Sequence, residues 1–341
     1  MRNVKQRAEA LIARLQTPGL VIDGDVHVSD PDALPAWQRE RRAVGPNYFH
    51  GRTISAEDCI AEMDAAGVDM ALVWQNPAAT EYTDDPAANF DALLTANRYI
   101  AHAAARYPDR FIPAGWTDPK ALGLDGGLRL VDVLTGELGF AIVKMNPAQN
   151  RFQMASEPVM ATVARIVARG AIPAFHFGAD TPYTPAEDLL AVARAFPQVP
   201  VIGVHMGGGG AADQDDEATY AKPRPVALQQ DNISSVLSAK RDTHIESDLI
   251  AYTAAGPGAA ARIACASDAP YGRMAWNFGG YRAMFATLCD GRGHVDPRLA
   301  AAPDMFTDEV VAGYMGGNLA RLVTRATRRW LQVQGAEAAA E

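Results

Sequence analysis

The stretch "VIDGDVHVSD" (residues 21–30) sets Asp23, Asp25 and His27 inside an apolar run near the start of the chain. An ionised side chain within a buried strand is costly unless something partners it. Either the strand stops early and these residues meet water, or its end is a site that needs them. Asp25 and His27 are two positions apart, so on a strand both point to the same face.

Similar runs recur along the chain: "LVIDGDVHV" (20–28), "VDMALVWQ" (68–75), "RFIPAGWTD" (110–118), "GFAIVKMNP" (139–147), "AIPAFHFG" (171–178), "VPVIGVHMG" (199–207), "THIESDL" (243–249) and "ARIACASDAP" (261–270). Most are continuous rather than alternating, as in parallel strands covered on both faces. Helix-like segments lie between them. "AEDCIAEMDAAG" (56–67) closes on a glycine, and residues 87–110 keep helical spacing as far as Pro108. "SEPVMATVARIVARG" (156–170) runs from Ser156 to Gly170, and "TPAEDLLAVARAFPQ" (184–198) opens on Thr184 and Pro185. These are ordinary cap signals. Strand–helix alternation repeated in this way predicts an α/β protein with a closed (β/α)8 TIM barrel. An open doubly wound sheet is the competitor. It would offer a Gly-rich phosphate turn, but no GxGxxG follows the first run, and "HMGGGGA" (205–211) lacks the Lys–Ser/Thr pair of a P-loop.

The expected organisation is a helical extension over residues 1–19, one barrel domain over 20–330 and a tail over 331–341. In the extension Ala8, Leu11, Ile12 and Leu15 recur at helical spacing, without the apolar core or cleavage site of a signal peptide. Its apolar stripe lies outside the barrel and points to a homodimer. Residues 29–55 and 208–242 are long insertions after the first and sixth runs, which in a barrel would rise over the mouth.

With 341 residues, 48% of them hydrophobic and 21% charged, the composition is that of a soluble globular protein. A net charge of −9 argues against nucleic acid or an anionic membrane as partner and leaves a small-molecule substrate. Cys59, Cys265 and Cys289 are too scattered for a disulfide framework or a CxxC site, which fits a reducing, cytoplasmic compartment. No stretch approaches the roughly 20 apolar residues of a membrane span.

Asp25 and His27 end the first run, His176 the fifth, His205 the sixth and Asp268 the eighth. Those ends converge on one mouth in a closed barrel. Singly, each has a bland reading, as a hydrogen-bonded core histidine or a turn aspartate. Their shared placement instead favours a divalent metal site of imidazole and carboxylate, with Zn²⁺ as first expectation and Mn²⁺ as second. Asp23 reads as a supporting residue. His102 and His294 are expected at the surface, and His50 within reach of a substrate.

At these positions the sequence resembles the amidohydrolase superfamily, in particular the amidohydrolase-related branch that includes aminocarboxymuconate semialdehyde decarboxylase. "DGDVHV" is similar to the family's first-strand element, "AFHFG" to its fifth-strand histidine, and "GVHMGG" to its sixth-strand histidine. "CASDAPYG" is similar to the eighth-strand Ser-Asp-x-Pro element and "YMGGNLARLV" (314–323) to the C-terminal helix. The resemblance implies one metal ion held by Asp25, His27, His176 and Asp268, with His205 beside it as base or electrophile. Position 25 is Asp where many hydrolases of the superfamily have His, a feature familiar among the decarboxylases. Binuclear members bridge two metals with a carboxylated lysine on the fourth strand. Lys144 lies there, but before "MNP" as in the mononuclear branch, which favours charge pairing or a substrate role. Glu246 and Asp248, in the seventh run, need a cation such as Lys144 or Arg241 if both face the interior.

The leading expectation is a metal-dependent hydrolase that activates water against a small organic acid, lactone or amide, with His205 and Asp268 moving protons. The alternative is a non-oxidative carboxy-lyase acting on a carboxylated ring or muconate-like compound; a catalytically inert metal-binding barrel ranks third. Arg273, Arg52 and His50 are the substrate-binding candidates, since guanidinium pairs bidentately with carboxylate.

Overall fold

The computed structural model describes residues 2–43, 53–178, 182–208, 221–291 and 296–340. Its strands are β1 (Ile22–Val28), β2 (Met70–Gln75), β3 in two pieces (Phe111–Pro113 and Gly115–Trp116), β4 (Ile142–Met145), β5 (Ile172–Gly178), β6 (Val201–Gly207), β7 (Ile233–Leu237) and β8 (Ile263–Cys265). Each pairs in parallel with the next in chain order. Two joints complete the ring. Ala114 N donates to Val73 O at 2.9 Å, bridging the break in β3. Beyond β8, Ala269 pairs in parallel with Val26, and His27 N donates to Ala269 O at 2.7 Å. The sheet therefore closes as a TIM barrel.

Every residue of β1, β2, β4, β6, β7 and β8 is buried. This is why all of these strands except β7 read as apolar runs, each large aliphatic side chain contributing about 1.5–3 kcal/mol on burial. The helices dock outside the sheet, some of them held by side-chain caps. Ser55 and Asp58 form a reciprocal capping box at the start of helix Ala56–Ala66, and Gly67 closes it at φ 62°.

The N-terminal end of the barrel is sealed by the "YMGGN" element. A Cβ at Gly316 would lie 2.1 Å from Leu20 O, so only glycine lets this turn pass beneath β1. Asn318 Nδ2 then donates to Ala260 O and Ile263 O at 2.8 and 2.7 Å, fastening helix Asn318–Ala340 below β8. That helix runs unbroken past 330, so residues 331–340 are its last turns rather than a separate tail. Helix Arg2–Leu15 packs along it: Ala8 and Leu15 are buried, and Lys5 Nζ donates to Gln334 O at 3.3 Å. Ala8 and Leu15 of the extension's stripe are thus buried against the chain itself, and Leu11 and Ile12 are half-buried.

One strand differs from the sequence expectation. "THIESDL" (243–249) lies in helix Asp242–Ala254, and the seventh strand is "ISSVL", Ile233–Leu237, inside the stretch read as an insertion. Ser234 and Ser235 interrupt the apolar run that would have marked the strand, whereas Ile245, Leu249 and Tyr252, all buried, recur at helical spacing. Glu246 and Asp248 therefore stand on the helix, not in the barrel interior. Asp248 is buried and takes Arg224 Nε at 2.7 Å and Lys240 Nζ at 2.5 Å, so its compensating cations are neither Lys144 nor Arg241. Thr184 also differs: its hydroxyl donates to Gly178 O at 2.6 Å rather than capping helix Ala186–Ala195.

Candidate metal centre

The rim at the C-terminal ends of the strands brings Asp25, His27, His176, His205 and Asp268 together. Donor atoms of Asp25, His205 and Asp268 all lie within 4.8 Å of one another, and all three residues are buried. His27 Nε2 is 3.5 Å from Asp25 Oδ1 and 3.4 Å from Asp268 Oδ1. The rings of His176 and His205 meet edge to face, with centroids 4.6 Å apart. Residues separated by more than half of the chain thus share one mouth: Asp25 and His27 lie in the C-terminal half of β1, His176 and His205 two residues before the ends of β5 and β6, and Asp268 three residues beyond β8. His205 and Asp268 take positive φ, 78° and 58°, where the chain leaves the sheet.

Hydrogen bonds fix which atoms face the centre. His27 Nδ1–H donates to Gln75 O at 2.9 Å, which leaves the Nε2 lone pair toward the two carboxylates. Ser238 Oγ donates to Asp25 Oδ2 at 3.0 Å, so its contact with His205 at 2.8 Å is made with Nδ1–H as donor. His205 Nε2 is therefore also a lone pair. Trp74 Nε1 and Lys144 Nζ donate to Asp25 Oδ1 at 2.8 and 3.1 Å. Asp23 takes Ser267 N at 2.9 Å, Ser267 Oγ at 2.5 Å and Asp25 N at 3.2 Å, tying β1 to the residue before Asp268. Its supporting role is visible in these contacts.

Burial dominates the electrostatics. It lowers His27 to about 4, with the Lys144 ammonium adding to the effect, and it holds His176 and His205 below the usual imidazole range. Burial thus favours the neutral form of all three rings. Burial alone would raise Asp25, but Lys144, then His205 and His27, pull its carboxyl far below the ordinary range. Asp268 is raised by burial, with Asp25 opposing its ionisation. Burial likewise raises Asp23, to about 7, against the bonds from Ser267. Neutral imidazoles with aimed lone pairs beside two carboxylates form a donor set that suits a divalent metal ion.

A cavity of about 410 Å³ opens above these residues, and its wall includes Lys144, Asn146, Gln149 and Tyr271. Arg273 does not line it; its side chain faces Glu62 at 4.0 Å and stacks 4.9 Å from the Trp276 ring. Arg52 and His50 lie outside the described residues. Ser238 and Trp74, which hold Asp25, were not anticipated. Ser238 follows β7 directly, so recognising "ISSVLS" as a strand would have placed it at the rim.

A family model described as amidohydrolase (Amidohydro_2) matches residues 22–325, and the chain belongs to that family. It is therefore an enzyme of the amidohydrolase superfamily, whose members are metal-dependent hydrolases and carboxy-lyases. No curated protein matches the sequence. Among solved structures, the fold is similar to that of 5-carboxyvanillate decarboxylase from Sphingomonas paucimobilis, with 18% identity and a TM-score of 0.61 over 89% of this chain and 98% of that one. The manganese-bound 5-carboxyvanillate decarboxylase of Novosphingobium aromaticivorans gives 16% identity and a TM-score of 0.62 over 89% and 96%. A 2,6-dihydroxybenzoate decarboxylase from Rhizobium gives 14% and 0.57 over 89% and 98%. At these identities the likeness speaks for the fold. No helix among the described residues is long and apolar enough to cross a membrane.

Proposed function

We propose that this protein is a metal-dependent, non-oxidative decarboxylase of a ring-borne carboxylate, the reading second to hydrolysis in the sequence. The observation that carries it is the carboxylate at position 25, buried with Asp268 under a cavity and held in a chain that aligns along nearly its whole length with aromatic-acid decarboxylases. Asp25, His27, His176 and Asp268 hold the ion in this reading, with His205 adjoining it. Manganese, seen in one of those neighbours, moves ahead of zinc. The ion would supply Lewis-acid polarisation of the substrate's carboxylate and adjacent oxygen.

The chain's own residues do the rest. Tyr271, Asn146 and Gln149 wall the cavity that orients the ring, and Lys144 holds Asp25 beneath it. Asp268, whose carboxyl burial keeps protonated more readily than usual, delivers a proton to the ring carbon. The C–C bond to the carboxylate breaks, its electron pair returns to the ring, and CO₂ leaves. His205, with Nδ1–H anchored through Ser238 to Asp25, keeps its Nε2 lone pair to accept a hydrogen bond from a ring hydroxyl, and solvent returns a proton to Asp268 once CO₂ has left.

The test is a ¹³CO₂ assay with carboxyl-labelled 5-carboxyvanillate and 2,6-dihydroxybenzoate on protein reconstituted with Mn²⁺ or Zn²⁺. Labelled CO₂ at a rate abolished by Asp268→Asn is expected. Hydrolysis of lactones or amides with no CO₂ from any ring acid would replace this reading by the hydrolase.

A further inference from the structure

Lys144 is a fully enclosed ammonium inside the donor set. Its side chain is 1% exposed, and Asp25, at 3.1 Å, is its one ion-pair partner among the described residues. Nζ sits 3.9 Å from the centre of the Trp74 ring and 5.3 Å from that of Trp116. The Trp74 indole N–H holds the same oxygen, Asp25 Oδ1, that the ammonium pairs with. One tryptophan thus carries the cation on its face and fixes the anion at its edge.

The charges define what this arrangement does. Asp25 and Asp268 face three imidazoles and Lys144. Asp23 is a further buried carboxyl behind them, held by Ser267 and Asp25 N. A cation this close to Asp25 repels a divalent ion brought to the same carboxylate in a low-dielectric site. Lys144 and the Trp74 indole already occupy Asp25 Oδ1, one of the two oxygens through which Asp25 could hold an ion.

We infer that Lys144, unmodified, is the internal counter-cation of the centre and competes with the divalent ion for Asp25. This deepens the decarboxylase reading of the same centre and rests on it. Lys144 is in this role a positioning residue. A carboxylated, bridging lysine would act oppositely, since its removal would cost metal.

The experiment measures Mn²⁺ affinity and stoichiometry by competition with a chromophoric chelator, for the wild type, Lys144→Met, Lys144→Gln and Lys144→Arg, with circular dichroism as fold control. The wild type is expected to bind a single ion. Met and Gln variants are expected to bind Mn²⁺ at least roughly tenfold more tightly, while Arg keeps the wild-type affinity. If Lys144→Met is too unstable without metal, Lys144→Gln, which keeps a donor for Asp25, carries the comparison. Unchanged or weaker binding in the folded Met and Gln variants, or two ions in the wild type, overturns the inference alone. A wild type that binds neither Mn²⁺ nor Zn²⁺ overturns it together with the metal centre.

Discussion

Asp25 and Asp23 sit two residues apart on β1 and are both wholly buried, yet their carboxyls are driven in opposite directions. Asp25 has Lys144 and two histidines to offset burial; Asp23 has only uncharged donors. A carboxyl raised in the folded state stabilises fully below its unfolded value of 3.8, and that contribution is lost as pH rises toward about 7. In metal-free protein, Asp23→Asn is therefore expected to flatten the fall in melting temperature between those pH values. Parallel pH profiles for the two proteins would contradict this. At Asp268, replacement by Asn is expected to lower turnover by roughly 10²–10⁴-fold while leaving the circular dichroism spectrum unchanged. Retained turnover would remove Asp268 from proton transfer. The aspartates and histidines themselves were legible in the sequence because metal-competent residues at strand ends are conspicuous. Their supports were not. Trp74, Ser238 and the Gln75 carbonyl read as ordinary strand and loop residues until the fold sets them against Asp25 and His27.

Elements were legible in proportion to their burial pattern. β1, β2, β4, β5 and β6 emerge from continuous apolar runs, and helix Ala56–Ala66 from its serine and glycine boundaries. β7 did not, since two of its five residues are serine, and a neighbouring helix with buried Ile245 and Leu249 gave the stronger apolar signal. That assignment has a direct test in stability. Leu249→Ala, fully buried on helix Asp242–Ala254, is expected to cost about 2–5 kcal/mol in denaturant unfolding. An effect below about 0.5 kcal/mol, the range of surface substitutions, would contradict its core position. Ser55→Ala removes half of a reciprocal cap and is expected to cost about 1 kcal/mol. No change in the unfolding midpoint would show that the capping box is not formed in solution.

At the scale of the molecule, the barrel turns distant sequence positions into one centre, and the order of strands explains why no local motif could reveal it. The fold class follows from repeated strand–helix alternation, and the rim follows from the fold. The chemistry does not, because no apolar pattern in the sequence places Arg52 or His50, while Arg273 turns to Glu62. A metal that binds only the assembled rim stabilises the whole domain. At a concentration about a hundredfold above its Kd it adds about 2.7 kcal/mol. Chelation is expected to lower the melting temperature reversibly. The central claim, that these five side chains form a single divalent centre, is tested most directly by elemental analysis of purified wild type, Asp25→Ala and His176→Ala. The account predicts about one equivalent of manganese or zinc in the wild type, lost from both variants. A wild type free of metal after growth and purification with both ions supplied, or variants that keep a full equivalent, would contradict it.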